Sequence, residues 1–324
     1  MNDREYLELA VPAPFGGRTV QEFLTEKLHY SGRLIARMKY RKDGIFLNGV
    51  RCRTTAVLRE GDRLRLSVSD PESAKAFWLS PEVPAEIPVL YEDEDLCVVF
   101  KPEGMVCHPS FGHFRDSLAN HLAQYLGWIG TSREIHLIGR LDRDTCGLIT
   151  LAKNAGCAAD LFRQQKEGLY RKTYLALAEG TFSGKEGVID SPIEPVPGVL
   201  MLRRTSASGK PAKTFYEVLG ERDGRTLVRC RLEQGRTHQI RVHMASVHHP
   251  LAGDLLYGPG GAFEQYEKTG NPDVVKQMNR TERRREPLGL CAYRLEFRHP
   301  CTGEHLSFRA EYPAWAVPFA DRTE

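Results

Sequence analysis

The chain has 324 residues, 41% hydrophobic and 27% charged, with 45 Lys and Arg against 42 Asp and Glu for a net charge of +3. That is about two domains' worth of length, with enough apolar material for at least one sizeable core. It excludes a wholly disordered chain and a uniformly basic nucleic-acid coat, while leaving room for a local basic patch.

The N-terminus, MNDREYLELA, has no basic segment followed by an apolar core, so no signal peptide is read. Apolar runs such as 96–100 are about five residues long, far below the ~20 that span a bilayer. The eight cysteines, at 52, 97, 107, 146, 157, 230, 291 and 301, form no C-x-x-C and no regular framework. Reduced thiols in a cytoplasmic protein are expected.

Charge is unevenly spread. Residues 31–65 hold ten cations against three anions, a net +7, so the rest of the chain carries −4 of the overall +3. Arg33, Arg37, Lys39, Arg41, Lys42 and Arg51 fall in this stretch and are candidate contacts to RNA phosphates. Its local order is that of a small module. Phe23, Leu24 and Leu28 share one helical face within 19–30, and Ser31 can cap a second helix that Gly44 ends. Asn48-Gly49 turns one short strand into another, and 63–68 alternates outward cations with inward Leu64, Leu66 and Val68. The module is assigned to 1–75, with a core of about 15–70. Residues 76–95, punctuated by prolines and an acidic turn, read as a linker.

The second domain, 96–324, begins with a buried strand at 96–100. A helix follows at 117–126, then a strand at 148–152, and a helix capped by Asn154 that Gly168 ends. A strand at 170–178, a hairpin around Asp223-Gly224 and a short helix at 237–248 come next. Residues 260–287 read as an insertion or long surface loop. Strands outnumber crossover helices, so the class is α+β with a mixed, largely antiparallel sheet.

The densest chemistry is Arg140-Leu141-Asp142-Arg143-Asp144-Thr145. By composition it is an ion-paired loop, a Mg²⁺-holding acid pair, or a site where arginines orient one nucleophilic or basic Asp. The D-x-D-x-T pattern of haloacid-type phosphatases is not met, because Thr145 stands three residues after Asp142 rather than four. The stretch 180–185 is one residue short of a phosphate loop, and Glu186 stands where Ser or Thr would bind magnesium. His238, His243, His248 and His249 lack the partners of a zinc site.

These motifs resemble the RluA-like pseudouridine synthases. Their H-R-L-D-x-x-T-S-G is met by Gly139-Arg140-Leu141-Asp142-Arg143-Asp144-Thr145-Cys146-Gly147, and K-x-Y by Lys172-Thr173-Tyr174. G-R-T-H-Q-I-R-x-H is matched in full at 235–243, and H-P-L-x-G-D-x-x-Y-G at 249–258. Smaller matches are Lys101-Pro102-Glu103-Gly104 with His108, Gly209-Lys210-Pro211-Ala212 with Thr214, and His299-Pro300. The chain departs from the family at Gly139, where the family has His, and at Cys146, where it has Ser. It departs again at Cys291, where the family has the His of L-H-A. The N-terminal module resembles the αL-type, small-subunit ribosomal-protein-like RNA-binding motif.

The resemblance implies isomerisation of uridine to pseudouridine in structured RNA, ribosomal RNA being favoured over transfer RNA. The N-glycosidic bond is cleaved and C5 is joined to C1′, with no cofactor or metal; separately, no membrane partner and a monomer are expected. The resemblance places the catalytic aspartate at Asp142, a base-facing tyrosine at Tyr174 and an arginine paired with the aspartate at Arg241. Apart from the resemblance, Arg140 stands two residues before Asp142, on the same side of an extended chain, and is expected to fill the gap left by a flipped uridine. Asp144 is read as a loop cap. A non-catalytic RNA-binding or ribosome-assembly factor on the same fold is the alternative, and a Mg²⁺-dependent phosphohydrolase a more remote one.

Overall fold

Thr19 opens the first helical segment through a reciprocal capping box. Its hydroxyl accepts from the Glu22 N–H, while the Glu22 carboxylate accepts from the Thr19 N–H at 2.7 Å. The short α1 (Val20–Glu22) runs into a single π turn, Phe23–Lys27, and α2 follows at Gly32–Tyr40. Val20, Phe23, Leu24, Ile35 and Met38 point inward from these helices. They cover a sheet ordered β1-β4-β2-β3 from β1 (Tyr6–Ala10), β2 (Ile45–Leu47), β3 (Val50–Arg51) and β4 (Arg63–Ser67). Asn48 and Gly49 both have positive φ, 50° and 81°, as a tight hairpin turn requires. Leu64 and Leu66 are fully buried and Arg63 is exposed, as the alternation predicts. Strand β1, antiparallel to β4, is an addition to the sequence reading.

The computed structural model describes residues 6–28, 30, 32–67, 86–110, 112–128, 134–275 and 286–322. The Ser31 cap, the Arg33 and Arg37 side chains, Val68, linker residues 76–85 and the basic run 283–285 lie outside the described residues. The remainder of the linker differs from expectation. Its residues 89–92 form β5 (Val89–Glu92), which pairs with β6 (Leu96–Lys101) at the edge of the large sheet.

Next in chain order come α3 (Leu118–Tyr125), β7 (His136–Leu137), β8 (Cys146–Ala152), α4 (Ala155–Lys166) and β9 (Arg171–Glu179). These are followed by β10 (Glu186–Asp190), β11 (Ile193–Val196), β12 (Val199–Thr205), β13 (Lys213–Arg222) and β14 (Arg225–Leu232). The described chain closes with α5 (Gln239–Ser246), α6 (Ala262–Thr269), β15 (Leu290–Arg298) and β16 (His305–Arg309). The large sheet runs β10-β13-β14-β9-β15-β8-β6-β5, with β16 on β15 and β7 on β8. Among its described pairings only β8 with β15 is parallel, so the sheet is mixed and largely antiparallel.

Both faces of this sheet are covered. On β6, Leu96 and Val98 join the core under α4, whereas Cys97 and Val99 join the core under α3. A strand buried on both faces reads as a continuous apolar run rather than an alternation, and β6 and β8 do so. On β9, Leu175 and Leu177 face the α4 side, while Ala176 and Ala178 pack beneath Ile240 and Met244 of α5. Ala159 of α4 also packs against the N-terminal core. The 260–287 stretch is more ordered than a surface loop. Ala262, Val274 and Val275 are buried with Val242 and Tyr257 against the β11–β12 hairpin, and residues 276–285 lie outside the described ones.

Candidate active site

The loop joining β7 to β8 is held from three directions. Leu141 is buried beneath it. The Leu141 N–H meets the Cys107 sulfur at 3.3 Å, and the Cys107 thiol donates back to the Leu141 carbonyl at the same distance. The buried Lys101 ammonium donates to the carbonyls of Pro102, Met105 and Arg143, at 2.8, 2.7 and 3.0 Å, tying the end of β6 to the loop. Thr145 closes the turn by donating its N–H to the Asp142 carbonyl at 3.1 Å. With Leu141 directed into the core, its neighbours Arg140 and Asp142 face a cleft of about 240 Å³. That is smaller than the roughly 300–1,000 Å³ of drug-sized ligand sites, and it suits one base better than an extended nucleotide cofactor.

Lys172 and Tyr174, two apart on β9, line the same cleft, as side chains at i and i+2 of a strand must. His238 closes it from α5. This histidine begins the helix in the left-handed region, φ 59°, and its Nδ1 lies 2.8 Å from the Tyr257 hydroxyl. Burial, then the Arg241 charge, hold its pKa at about 3, so the ring is neutral at physiological pH.

Arg241, one turn into α5, is 2% exposed and stands behind the cleft wall. The sequence reading pairs Arg241 with Asp142, and its charge does act on that carboxylate. Arg241 does not hydrogen-bond to Asp142. Its Nε and Nη2 grip Asp254, at 2.7 and 2.6 Å, in a bidentate pair that is all but wholly buried. Asp254 also accepts the N–H groups of Leu256 and Tyr257, at 2.9 and 3.1 Å. Arg241 reaches Asp142 through its charge alone, and Asp254 offsets much of that charge. Burial therefore wins at Asp142. Its carboxyl lies above the ordinary carboxylate range despite the pull of Arg241, Arg140 and Lys101. Burial acts on Asp254 too, but the direct pair outweighs it and holds that carboxyl low.

Burial and then the Asp142 charge push the Tyr174 phenol well above its usual pKa, so it stays protonated. Burial brings Lys172 down to about 8. Asp144 takes the Arg143 guanidinium at 3.1 Å and does not line the cleft. Of the sequence candidates, then, Arg140, Asp142 and Tyr174 meet in one cleft, with Arg241 behind them. Lys39, Arg41, Lys42 and Arg51 are not part of it. Arg41 is engaged with Asp43 at 2.8 Å, and Arg51 donates to the Arg41 carbonyl. Sequence reasoning missed Asp254 and Lys172, although both lie inside quoted motifs. A buried arginine demands a carboxylate, and that demand was the usable signal.

Asp95, His299 and Cys301 offer a candidate metal cluster, with ligand atoms within 4.8 Å of one another. Both His299 ring nitrogens are already used, however. Nδ1 accepts from the Cys301 and Thr302 N–H groups, and Nε2 bonds to Asp93. None of the three residues lines the cleft.

Residues 95–246 match the RNA pseudouridylate synthase family. The uncharacterized RNA pseudouridine synthase YjbO of Bacillus subtilis is 35% identical, over 91% of this chain and 95% of that protein. Ribosomal large subunit pseudouridine synthase D of Nitrosomonas europaea is 31% identical, over 95% of this chain and 85% of that one. Human RNA pseudouridylate synthase domain containing 1 shares the fold, with a TM-score of 0.54 and 23% identity over 74% of this chain and 89% of that one. The chain belongs to the RluA-like family of RNA pseudouridine synthases. It is an enzyme that isomerises uridine in RNA to pseudouridine.

Proposed function

We propose that the cleft receives one flipped uridine of ribosomal RNA and that Asp142 drives cleavage of its N1–C1′ bond. The uracil then turns, C5 joins C1′, the C5 proton leaves and N1 gains one, so the reaction is balanced without a co-substrate. Tyr174, held as the phenol, lies against the base, where stacking contributes about 1–3 kcal/mol. Arg140, exposed at the mouth, fills the space vacated in the RNA. Arg241 is a positioning residue whose field keeps Asp142 closer to its reactive, ionised form.

The single observation that carries this reading is Asp142, a partly buried carboxylate, facing the same cleft as Tyr174 and Arg140. Two relatives named ribosomal large subunit pseudouridine synthase D favour ribosomal over transfer RNA. Residues 1–75 (core about 15–70) act as an αL-type RNA-binding module, 76–95 as the connection, and 96–324 as the catalytic domain. The protein works as a cytoplasmic monomer without a metal.

Pseudouridine mapping of RNA from cells lacking the protein tests the target. A site missing from large-subunit ribosomal RNA, restored by the wild type and not by Asp142→Asn, is expected. A loss confined to transfer RNA would overturn the ribosomal assignment. Turnover that persists in excess EDTA is expected as well, and loss restored by Mg²⁺ on correctly folded RNA would reject the metal-free mechanism.

A further inference from the structure

The chemistry above leaves two thiols unused directly behind the catalytic loop. Cys146 is the first residue of β8 and Cys291 the second of β15, the two strands of the sheet's parallel pair. They are register partners, with Gly147 opposite Ala292 next along. Neighbouring strands lie about 4.8 Å apart, inside the Cα separation that a disulfide spans. Gly147 makes this approach possible, since a Cβ there would lie 2.3 Å from the Ala292 carbonyl oxygen. The two thiols are free. They differ in access, because Cys146 is half-buried whereas Cys291 has no exposed surface.

We propose that Cys146 and Cys291 form a thiol–disulfide modification site that takes an oxidised low-molecular-weight thiol as its reactant and switches the neighbouring active site off. Cys146, as thiolate, attacks one sulfur of the reagent RSSR, forming a mixed disulfide and releasing RS⁻. The Cys291 sulfur then attacks the Cys146 sulfur, expels the second RS⁻ and passes its proton to a leaving thiolate. Two protein thiols are oxidised to one disulfide while RSSR is reduced to two RSH.

The asymmetry of the pair supports this order. The Cys291 side chain, with help from the Lys101 charge, favours the Cys146 thiolate against burial, while the same contact and burial keep Cys291 protonated. The consequence for catalysis follows from the covalent path. A bond of ~2.05 Å draws the two sulfurs in from non-bonded contact. It displaces Cys146, whose neighbour Thr145 holds the Asp142 turn. It also removes the weak bond, at 3.6 Å, from the Cys146 thiol to the carbonyl of Leu290, a residue of the cleft wall.

The test treats the full-length protein with oxidised glutathione, maps the thiols by mass spectrometry, and measures turnover on unmodified ribosomal RNA before and after dithiothreitol. A peptide pair linked through Cys146 and Cys291 is expected. Turnover should fall roughly 10- to 100-fold, the scale of moving a reacting group by about 1 Å, and return on reduction. Cys146→Ser should keep its turnover in the oxidant, and Cys291→Ala should stop at glutathione on Cys146. Free thiols at both positions, separate glutathione on each, or a linked pair with undiminished turnover would overturn the proposal. The mapping is independent of any RNA target.

Discussion

Two regions of this molecule handle charge in opposite ways. Behind the cleft wall, charges are buried and held by fixed partners: Arg241 and Asp254 are nearly inaccessible and bonded twice, and Lys101 is consumed by three carbonyls. In the N-terminal module, Lys39, Lys42, Arg51, Arg53 and Arg63 stand exposed in a segment of net charge +7. Solvated charges are screened by salt over about 10 Å at 0.1 M, whereas buried ones are screened far less. On the proposed function the contrast is a division of labour. Chemistry at a carbon atom needs a carboxylate stripped of water and tuned by fixed neighbours, while capture of a polyanion needs many cations free to displace counterions.

The contrast is tested hardest at the buried pair. Arg241→Met leaves Asp254 as a lone buried carboxylate, and the cost should be about 3–5 kcal/mol of unfolding free energy, read from the denaturant midpoint. The Asp254 pKa is depressed in the fold, so its contribution is present above the unfolded value of ~3.9 and is lost only as pH falls through the native value. A loss below about 1 kcal/mol at pH 7 would mean that the pair is not buried as described.

The second effect is on pH dependence, with opposite signs from the two partners. Arg241 lowers the Asp142 pKa and Asp254 raises it. Arg241→Met should therefore move the acid limb of kcat/KM to higher pH, whereas Asp254→Asn, measured on whatever fraction folds, should move it lower. Shifts in the same direction would separate the limb from Asp142.

Deletion of residues 1–75 should leave turnover at saturating RNA intact and make the slope of log affinity against log salt shallower, by about 0.7–0.9 for each phosphate no longer neutralised. An unchanged slope in a folded truncation would remove RNA binding from the module. Ala159 packs against the N-terminal core, so a modest loss of stability should accompany the cut. The smallest expected effect is at Asp144→Asn, which should retain most turnover because Asp144 faces Arg143 rather than the cleft.

What was legible in the sequence was local. The Asn154 cap is present, its side chain accepting from Cys157 at 2.8 Å, and Asp223-Gly224 forms its turn with φ of 53° and 74°. The α+β class follows from counting such elements. The long-range pairings were hidden. Strand β1 finds its partner some sixty residues away, and β11 carries Pro195, which argues against a strand when read alone. At the site, the motif residues were found but not their wiring. Arg241 had two nearby carboxylates to choose between, and the choice of Asp254 depends on how the 249–258 turn folds back on α5, which no spacing encodes. The N-terminal module's charge was plain, yet which cations are already paired, as Arg41 is with Asp43, was not.

On the proposed function, Asp142 is held in an unfavourable environment because the reaction uses it there. Its native pKa lies above the unfolded value, so keeping it ionised costs stability as pH rises through that window. Asp142→Asn removes that cost. The most direct measurement takes pseudouridine formation, RNA affinity and the thermal midpoint of this one variant at neutral pH. No product, unchanged affinity and a raised midpoint are expected. Product at the wild-type rate, or a lowered midpoint with weakened binding, would contradict the assignment.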